Sequence, residues 1–164
     1  MEAGYALRFR LFLFCSPIVI ELKQLMVAQL VVTAALTGLI WIVQLVHYPG
    51  FRYVDHTQFS SFQQHHMRSI SYIVVPLMLV EVVLSCWLQI DYWNRDEMYI
   101  ITTANVLLVV IWVATFFVST PIHSKLLTQG YNEILINKLV DTNWIRTVLW
   151  SARTLILIIV GLKV

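Results

Sequence analysis

Four long apolar runs dominate the pattern of hydrophobic and polar positions. They cover residues 25–48, 70–90, 99–119 and 143–162, with only isolated polar residues inside them. A helix rises 1.5 Å per residue, so a run of about 20 residues crosses a hydrocarbon core about 30 Å thick. Aromatic residues such as Trp41 and Tyr48 stand near the ends of these runs, which is typical of membrane interfaces. The pattern predicts an all-α integral membrane four-helix bundle in a lipid bilayer.

The composition agrees with a membrane protein. Of the 164 residues, 59% are hydrophobic and only 12% are charged, which is not the composition of a soluble domain. The net charge is +2, and the chain has no glycine-rich phosphate loop or basic arm. We therefore exclude nucleic acid as a partner. Two cysteines are too few for a disulfide framework.

The chain divides into an N-terminal segment, residues 1–24, and one transmembrane domain, residues 25–164. The segment contains "RFRLFLFCSPIVI", which has a basic start and a short apolar stretch interrupted by Pro17. Three interpretations remain: an interfacial helix, which we favour, a processed or re-entrant leader, or a translational start at Met26.

An even number of spans places both termini on one side of the membrane, here called side A. The opposite side, side B, then receives all five histidines. Lysine and arginine are balanced between the two sides, so the positive-inside rule does not decide which side faces the cytoplasm.

The two connections on side B carry most of the polar sequence. In the first, Pro49 and Gly50 are expected to end span 1, and Asp55 to cap an amphipathic helix that runs into span 2, turns His66 inward and leaves His65 at its edge. In the second, Ser119 or Thr120 is expected to cap a helix with Pro121 at its first position. Gly130 then ends that helix, and "YNEILINKLV" predicts another amphipathic surface helix. No internal repeat appears.

Polar residues inside the spans predict an interior cavity, because a charged side chain at the bilayer centre costs about 2.5 to 3.5 kcal/mol. Glu81 and Arg153 each lie about ten residues into a span that starts on side B, roughly 15 Å deep, and are expected to pair. The pair either fixes helix register or forms the floor of a cavity, a proton relay or a substrate anchor. The candidate cavity residues are Glu81, Arg153, Arg146, Asn143, Gln44 and Asn105.

The histidines are candidate ligands for a transition metal or haem, because imidazole binds these groups when three or four ligands converge. The candidates are His47, His66 and His123 from three segments, with His56 and His65 nearby. The alternative is that they are structural, face lipid headgroups or handle protons. No pair has the i, i+4 spacing of a local metal motif.

Three motifs carry a resemblance to a family. The first span closes with W-x5-HYP-x-F, the second contains a proline, a methionine and Glu81, and the last opens with "NKLVDTNWIRTVLW". The chain thereby resembles small four-helix bacterial membrane proteins of the anthrone-oxygenase-like kind. The resemblance implies a four-helix bundle in a bacterial inner membrane. For some members it also implies oxygenation of a polyketide-type aromatic without a well-defined cofactor.

Two classes of function stay open, and the sequence does not decide whether the protein is an enzyme. The first is a redox or oxygenase-like protein whose cavity opens on side B and binds a metal, haem or small lipophilic substrate. The second is a non-enzymatic subunit or small transporter that uses Glu81 and Arg153. Ala28, Ala35 and Gly38 would allow close packing of span 1 in a homo-oligomer or larger complex.

Overall fold

A computed structural model describes residues 21–163, and these residues form helices and no strand. The four long helices are α1 (Leu22–Tyr53), α2 (Phe59–Asp91), α3 (Met98–Gln129) and α4 (Glu133–Gly161). Each is long and apolar enough to cross a membrane. The predicted all-α four-helix fold is confirmed. The interpretations of residues 1–20 lie outside the described residues.

The helices pack as a ring in which α1 and α3 each contact both α2 and α4. One core cluster joins the start of α1 to the end of α4 and includes Leu25, Leu88, Ile101 and Leu157. A second cluster lies at the opposite end, where the histidines are, and includes Leu36, Phe51, Phe59 and Ile136. Neighbouring helices therefore run antiparallel.

The expected break at Pro49 and Gly50 does not occur. A π-helical segment, Val43–His47, precedes the proline, and the Tyr48 N–H donates to the carbonyl of Val43, five residues earlier. Proline has no N–H to donate and its ring clashes with the preceding turn, and a widened turn relieves both problems. The helix consequently continues past Gly50 to Tyr53.

A π-helical segment also precedes the proline of α3. A second π-helical segment, Thr115–Ser119, ends two residues before Pro121, and the Thr120 N–H donates to the Thr115 carbonyl. Pro121 does lie in the first turn of the α-helical segment Thr120–Gln129, as predicted, but Ser119 is itself helical and makes no side-chain cap, so the segment continues α3. Gly130 does end α3, with a φ of 76° that suits glycine.

Both amphipathic segments on side B are parts of longer helices. The segment before span 2 belongs to α2, whose N-cap is Gln58 and not Asp55. Asp55 instead accepts hydrogen bonds from the Thr57 hydroxyl and amide, which lower the pKa of its carboxyl. The second predicted surface helix is the first part of α4, which begins where the Asn132 side chain accepts from the Leu135 N–H at 3.1 Å.

The two halves of the chain share one helical layout, which the sequence did not reveal. Glu81 and Arg153 are 72 positions apart. The same offset relates the two π-helical segments to one another and Pro49 to Pro121. Buried positions correspond as well: Met78, Glu81, Ser85 and Leu88 on α2 match Trp150, Arg153, Leu157 and Val160 on α4. The bundle is thus two similar helical hairpins, α1–α2 and α3–α4.

Candidate functional site

A charge pair lies in the centre of the bundle. Nε of Arg153 is 3.1 Å from Oε1 of Glu81, and neither side chain has any exposed surface. The predicted pairing of these residues, which rested on their equal depth, is confirmed. A buried ion pair of this kind persists only when the remaining polar atoms of both groups are satisfied.

The carboxylate of Glu81 is fully hydrogen-bonded. Its Oε1 also accepts from the Thr33 hydroxyl at 2.9 Å, and its Oε2 accepts from the indole N–H of Trp150 at 3.3 Å. Gln29 extends the network by donating to Thr33 and accepting from Ser85.

The guanidinium of Arg153 makes four hydrogen bonds, with every nitrogen taking part. Beyond Glu81 it donates to the hydroxyl of Ser85, the carbonyl of Ala104 and the side-chain oxygen of Asn105. Helices α1 to α4 all contribute to this network. A pair without a vacant partner holds helices in register, and this favours the structural interpretation of Glu81 and Arg153.

A second polar layer lies between the charge pair and the histidine end. Asn143 donates to Oε1 of Gln44 at 2.7 Å, and Gln44 donates to the Val140 carbonyl at 3.2 Å. Arg146 donates to the side-chain oxygen of Asn143 and to the hydroxyl of Tyr48, the latter at 3.1 Å. The predicted cavity residues Gln44, Asn143 and Arg146 therefore form one network, separate from Asn105, which belongs to the charge pair.

Arg146 differs from Arg153 in one respect that bears on function. Both are buried, with Arg146 7% exposed, but among residues 21–163 no carboxylate forms an ion pair with Arg146. Its Nε and the Oε1 of Gln63 are buried and have no hydrogen-bond partner among the described residues. A buried cation without a counterion is costly, so this network lacks one negative charge.

Three histidines converge beside this layer. His47 Nε2 lies 2.6 Å from His66 Nδ1, and His123 Nε2 lies 2.9 Å from the Tyr48 hydroxyl. The other nitrogen of His123 accepts from Gln63 at 2.8 Å, and the rings of His66 and His123 are 5.5 Å apart between centroids. One proton is shared between the rings of His47 and His66, so one ring donates and the other accepts.

The remaining histidines stand apart from this cluster. His56 stacks on Tyr131 with ring centroids 3.7 Å apart, and His65, which is exposed, lies 3.5 Å from the Ser69 hydroxyl. Within residues 21–163, no group of three histidine, cysteine, aspartate or glutamate side chains is arranged to hold a metal ion. The metal hypothesis for His47, His66 and His123 gains no support from their geometry, since two of them bind one another.

A groove of about 500 Å³ opens between α1 and α2 and ends at this cluster. Ala34, Ala35, Gly38 and Ile42, at its mouth, are exposed on the outer surface of the helices. A Cβ added at Gly38 would meet no atom of residues 21–163 within 4 Å. The apolar lining of the groove is completed by Leu39, Val43 and Ile70, and its polar end is His47. Because these exposed residues lie along the length of α1, the groove opens along the side of the bundle.

Sequence reasoning missed two members of the site. Tyr48 was recognised only as an interfacial aromatic residue, although it links His123 to Arg146. Gln63 was not selected, although it lies one turn before His66 on the same buried face of α2. The helical spacing of Gln63 and His66 was the signal that could have identified it.

No family model, curated protein or solved structure matches the chain.

Proposed function

We propose that the protein binds a small lipophilic molecule with an acidic headgroup and serves an oxygenase-like or other redox reaction of that molecule. The observation that carries the proposal is the groove between α1 and α2, whose apolar walls end at the ring of His47. Its volume lies within the range of about 300 to 1,000 Å³ that is usual for small-molecule sites. The proposed setting is a bacterial inner membrane with both termini on the same side.

The histidines suit proton exchange with the headgroup. His47 faces the groove and shares a proton with His66, so a proton taken up by His47 is stabilised by a second imidazole. Neutral imidazole is the usual general base near neutral pH. A hydroxyl or activated C–H group of a bound molecule would be the proton donor.

Arg146 does not line the groove, but its charge would favour an anionic headgroup at His47. Its positive charge is buried, lacks a carboxylate among residues 21–163 and reaches the histidine cluster through Tyr48. A buried guanidinium strongly favours an oxyanion nearby. In an oxygenase-like reaction, an activated CH2 group of the substrate would lose a proton to His47, and the resulting enolate carbon would bond to one oxygen of dioxygen, which is the oxidant. Return of the proton would give a hydroperoxide, and loss of one water molecule would leave a carbonyl group, so that CH2 and O2 become C=O and H2O.

Binding of matched probes tests the proposal. Anthracene-9-carboxylate and its methyl ester differ in charge but share an apolar body, and their affinities for detergent-purified protein can be compared by calorimetry. We expect the carboxylate to bind at least about tenfold more tightly, because a hydrogen bond to a charged group contributes about 1.5 to 3 kcal/mol. Arg146→Gln should reduce this preference and leave ester binding unchanged.

Gly38→Leu provides the test of the groove itself. A leucine side chain has room there, so the fold should persist while the groove is filled and both probes lose affinity. Unchanged binding of both probes in Gly38→Leu would overturn the proposal. A change of oligomeric state in Gly38→Leu, without any loss of probe binding, would instead favour the non-enzymatic alternative, in which a neighbouring helix occupies the groove.

A further inference from the structure

A second groove of about 340 Å³ lies between α3 and α4. Its floor is apolar and is formed by Phe117, Val118, Ile122 and Leu135. Two lysines, Lys125 on α3 and Lys138 on α4, line the same groove and are exposed. It thus combines an apolar floor with two positive charges.

The two lysines differ from Arg52 and Arg68, at the same end of the bundle, in their hydrogen bonding. Arg52 donates two hydrogen bonds to Asn137, and Arg68 donates to the Tyr72 hydroxyl. In the part of the chain that the structure describes, the ion pairs are Arg153 with Glu81 and Lys163 with Glu97. Neither groove lysine has a carboxylate or hydrogen-bond acceptor within this region, so both ammonium groups are available to a ligand.

The height of the lysines matches that of lipid headgroups. Lys125 lies about six residues beyond the end of the third apolar run and Lys138 about five before the start of the fourth. At 1.5 Å per residue both are roughly 8 to 9 Å outside the hydrocarbon core. Phe117, 77% exposed, and Val118 fall inside the apolar run and so face the acyl region. The groove therefore crosses the boundary between headgroups and hydrocarbon.

The π-helical segment of α3 contributes to this surface. Phe117 and Val118 belong to Thr115–Ser119, the widened turn before Pro121. Such single π-helical turns are common at functional sites. In the equivalent hairpin, the positions that correspond to Lys125 and Lys138 hold Tyr53 and His66, so the paired lysines are specific to the α3–α4 hairpin.

We propose that this groove binds one anionic phospholipid, with the phosphate between Lys125 and Lys138 and an acyl chain along Phe117 and Val118. Two ammonium groups beside one groove repel each other, and a phosphate relieves that repulsion while it neutralises both. The lysine stems can cover the apolar floor while their charged ends reach the headgroup. The site is separate from the groove at His47 and does not depend on the function proposed for it.

Native mass spectrometry of the full chain in detergent tests the assignment. Phosphatidylglycerol is titrated against wild type and the Lys125→Gln/Lys138→Gln variant, with phosphatidylcholine as the uncharged comparison. Each lysine near an anionic lipid contributes to the free energy of binding. Removal of both should therefore weaken phosphatidylglycerol binding by about 30-fold. Binding of phosphatidylcholine should be weak and unchanged.

Lys163→Gln is the matched control, because Lys163 is also exposed but belongs to the opposite end of the bundle. Equal loss in Lys163→Gln and in the double variant would show a general charge effect and overturn the assignment. Equal affinity for the two lipids would also overturn it. Displacement of phosphatidylglycerol by millimolar glycerol phosphate would show a site for a free phosphate, which is contrary to the proposal. Circular dichroism establishes that each variant is folded.

Discussion

Glu81 and Arg153 occupy equivalent positions in the two helical hairpins and contact each other at 3.1 Å. They are 72 positions apart, the same offset that separates the two π-helical segments. Equivalent residues of two similar units touch only near the pseudo-symmetry axis that relates the units. The charge pair therefore marks the centre of the bundle and joins the two hairpins.

Removal of one charge of this pair should destabilise the protein strongly. Glu81→Gln leaves the guanidinium of Arg153 buried without a counterion, and we expect a loss of about 3 to 5 kcal/mol in the free energy of unfolding. Reversible unfolding in mixed micelles measures this. Glu97→Gln is the control, because its partner Lys163 is 54% exposed, and a change within about 1 kcal/mol is expected.

The pseudo-symmetry allows a second test of the charge pair, in which the two charges are exchanged. Exchange of the two charges, Glu81→Arg with Arg153→Glu, keeps an ion pair across the axis. We expect the exchanged protein to be more stable than either single substitution and less stable than wild type, because Trp150 and the Ala104 carbonyl would then face the wrong partner. An exchanged protein no more stable than the single variants would argue against a pair defined by the axis.

The sequence predicted those features of the fold that depend only on where a residue lies along the chain. The apolar runs predicted the helices, and equal depth predicted that Glu81 contacts Arg153. Whether a helix ends at a proline depends on how the missing hydrogen bond is accommodated, and widened turns allowed α1 to pass Pro49 and α3 to pass Pro121. The groove at His47 depends on the rotation and spacing of helices, which hydropathy does not determine.

The two buried arginines of α4 should respond differently to neutralisation. Arg153→Gln leaves the Glu81 carboxylate buried and unpaired, whereas Arg146→Gln removes a charge that has no carboxylate partner among residues 21–163. We expect a loss of about 3 to 5 kcal/mol for Arg153→Gln and at most about 2 kcal/mol for Arg146→Gln. Chemical unfolding of both variants under one condition gives the comparison. Equal losses would mean that Arg146 is stabilised by a charge that these contacts do not include.

The Tyr48 hydroxyl should contribute to the stability of the protein through its hydrogen bonds. Tyr48→Phe removes the group that links His123 to Arg146 and leaves buried polar atoms without a partner, at a cost of about 1 to 3 kcal/mol. Tyr72→Phe is the matched control, because that hydroxyl accepts from Arg68 at an exposed position. Thermal unfolding should distinguish the two variants. Similar small effects would show that the Tyr48 hydroxyl contributes little to the network.

The histidine cluster should bind protons or a headgroup in preference to a metal ion. His47 and His66 are 2.6 Å apart between ring nitrogens, which is a hydrogen bond, and a metal ion between them would need to separate the rings, because each Zn–N bond is about 2.0 to 2.1 Å long. We therefore expect elemental analysis and an absorption spectrum of the purified protein to show no stoichiometric transition metal and no haem band. His47→Ala and His66→Ala should leave both measurements unchanged while they weaken binding of the lipophilic probes. A near-stoichiometric metal or a haem band, lost in both variants, would instead show that the rings separate around a cofactor and would make His123 the next ligand to test.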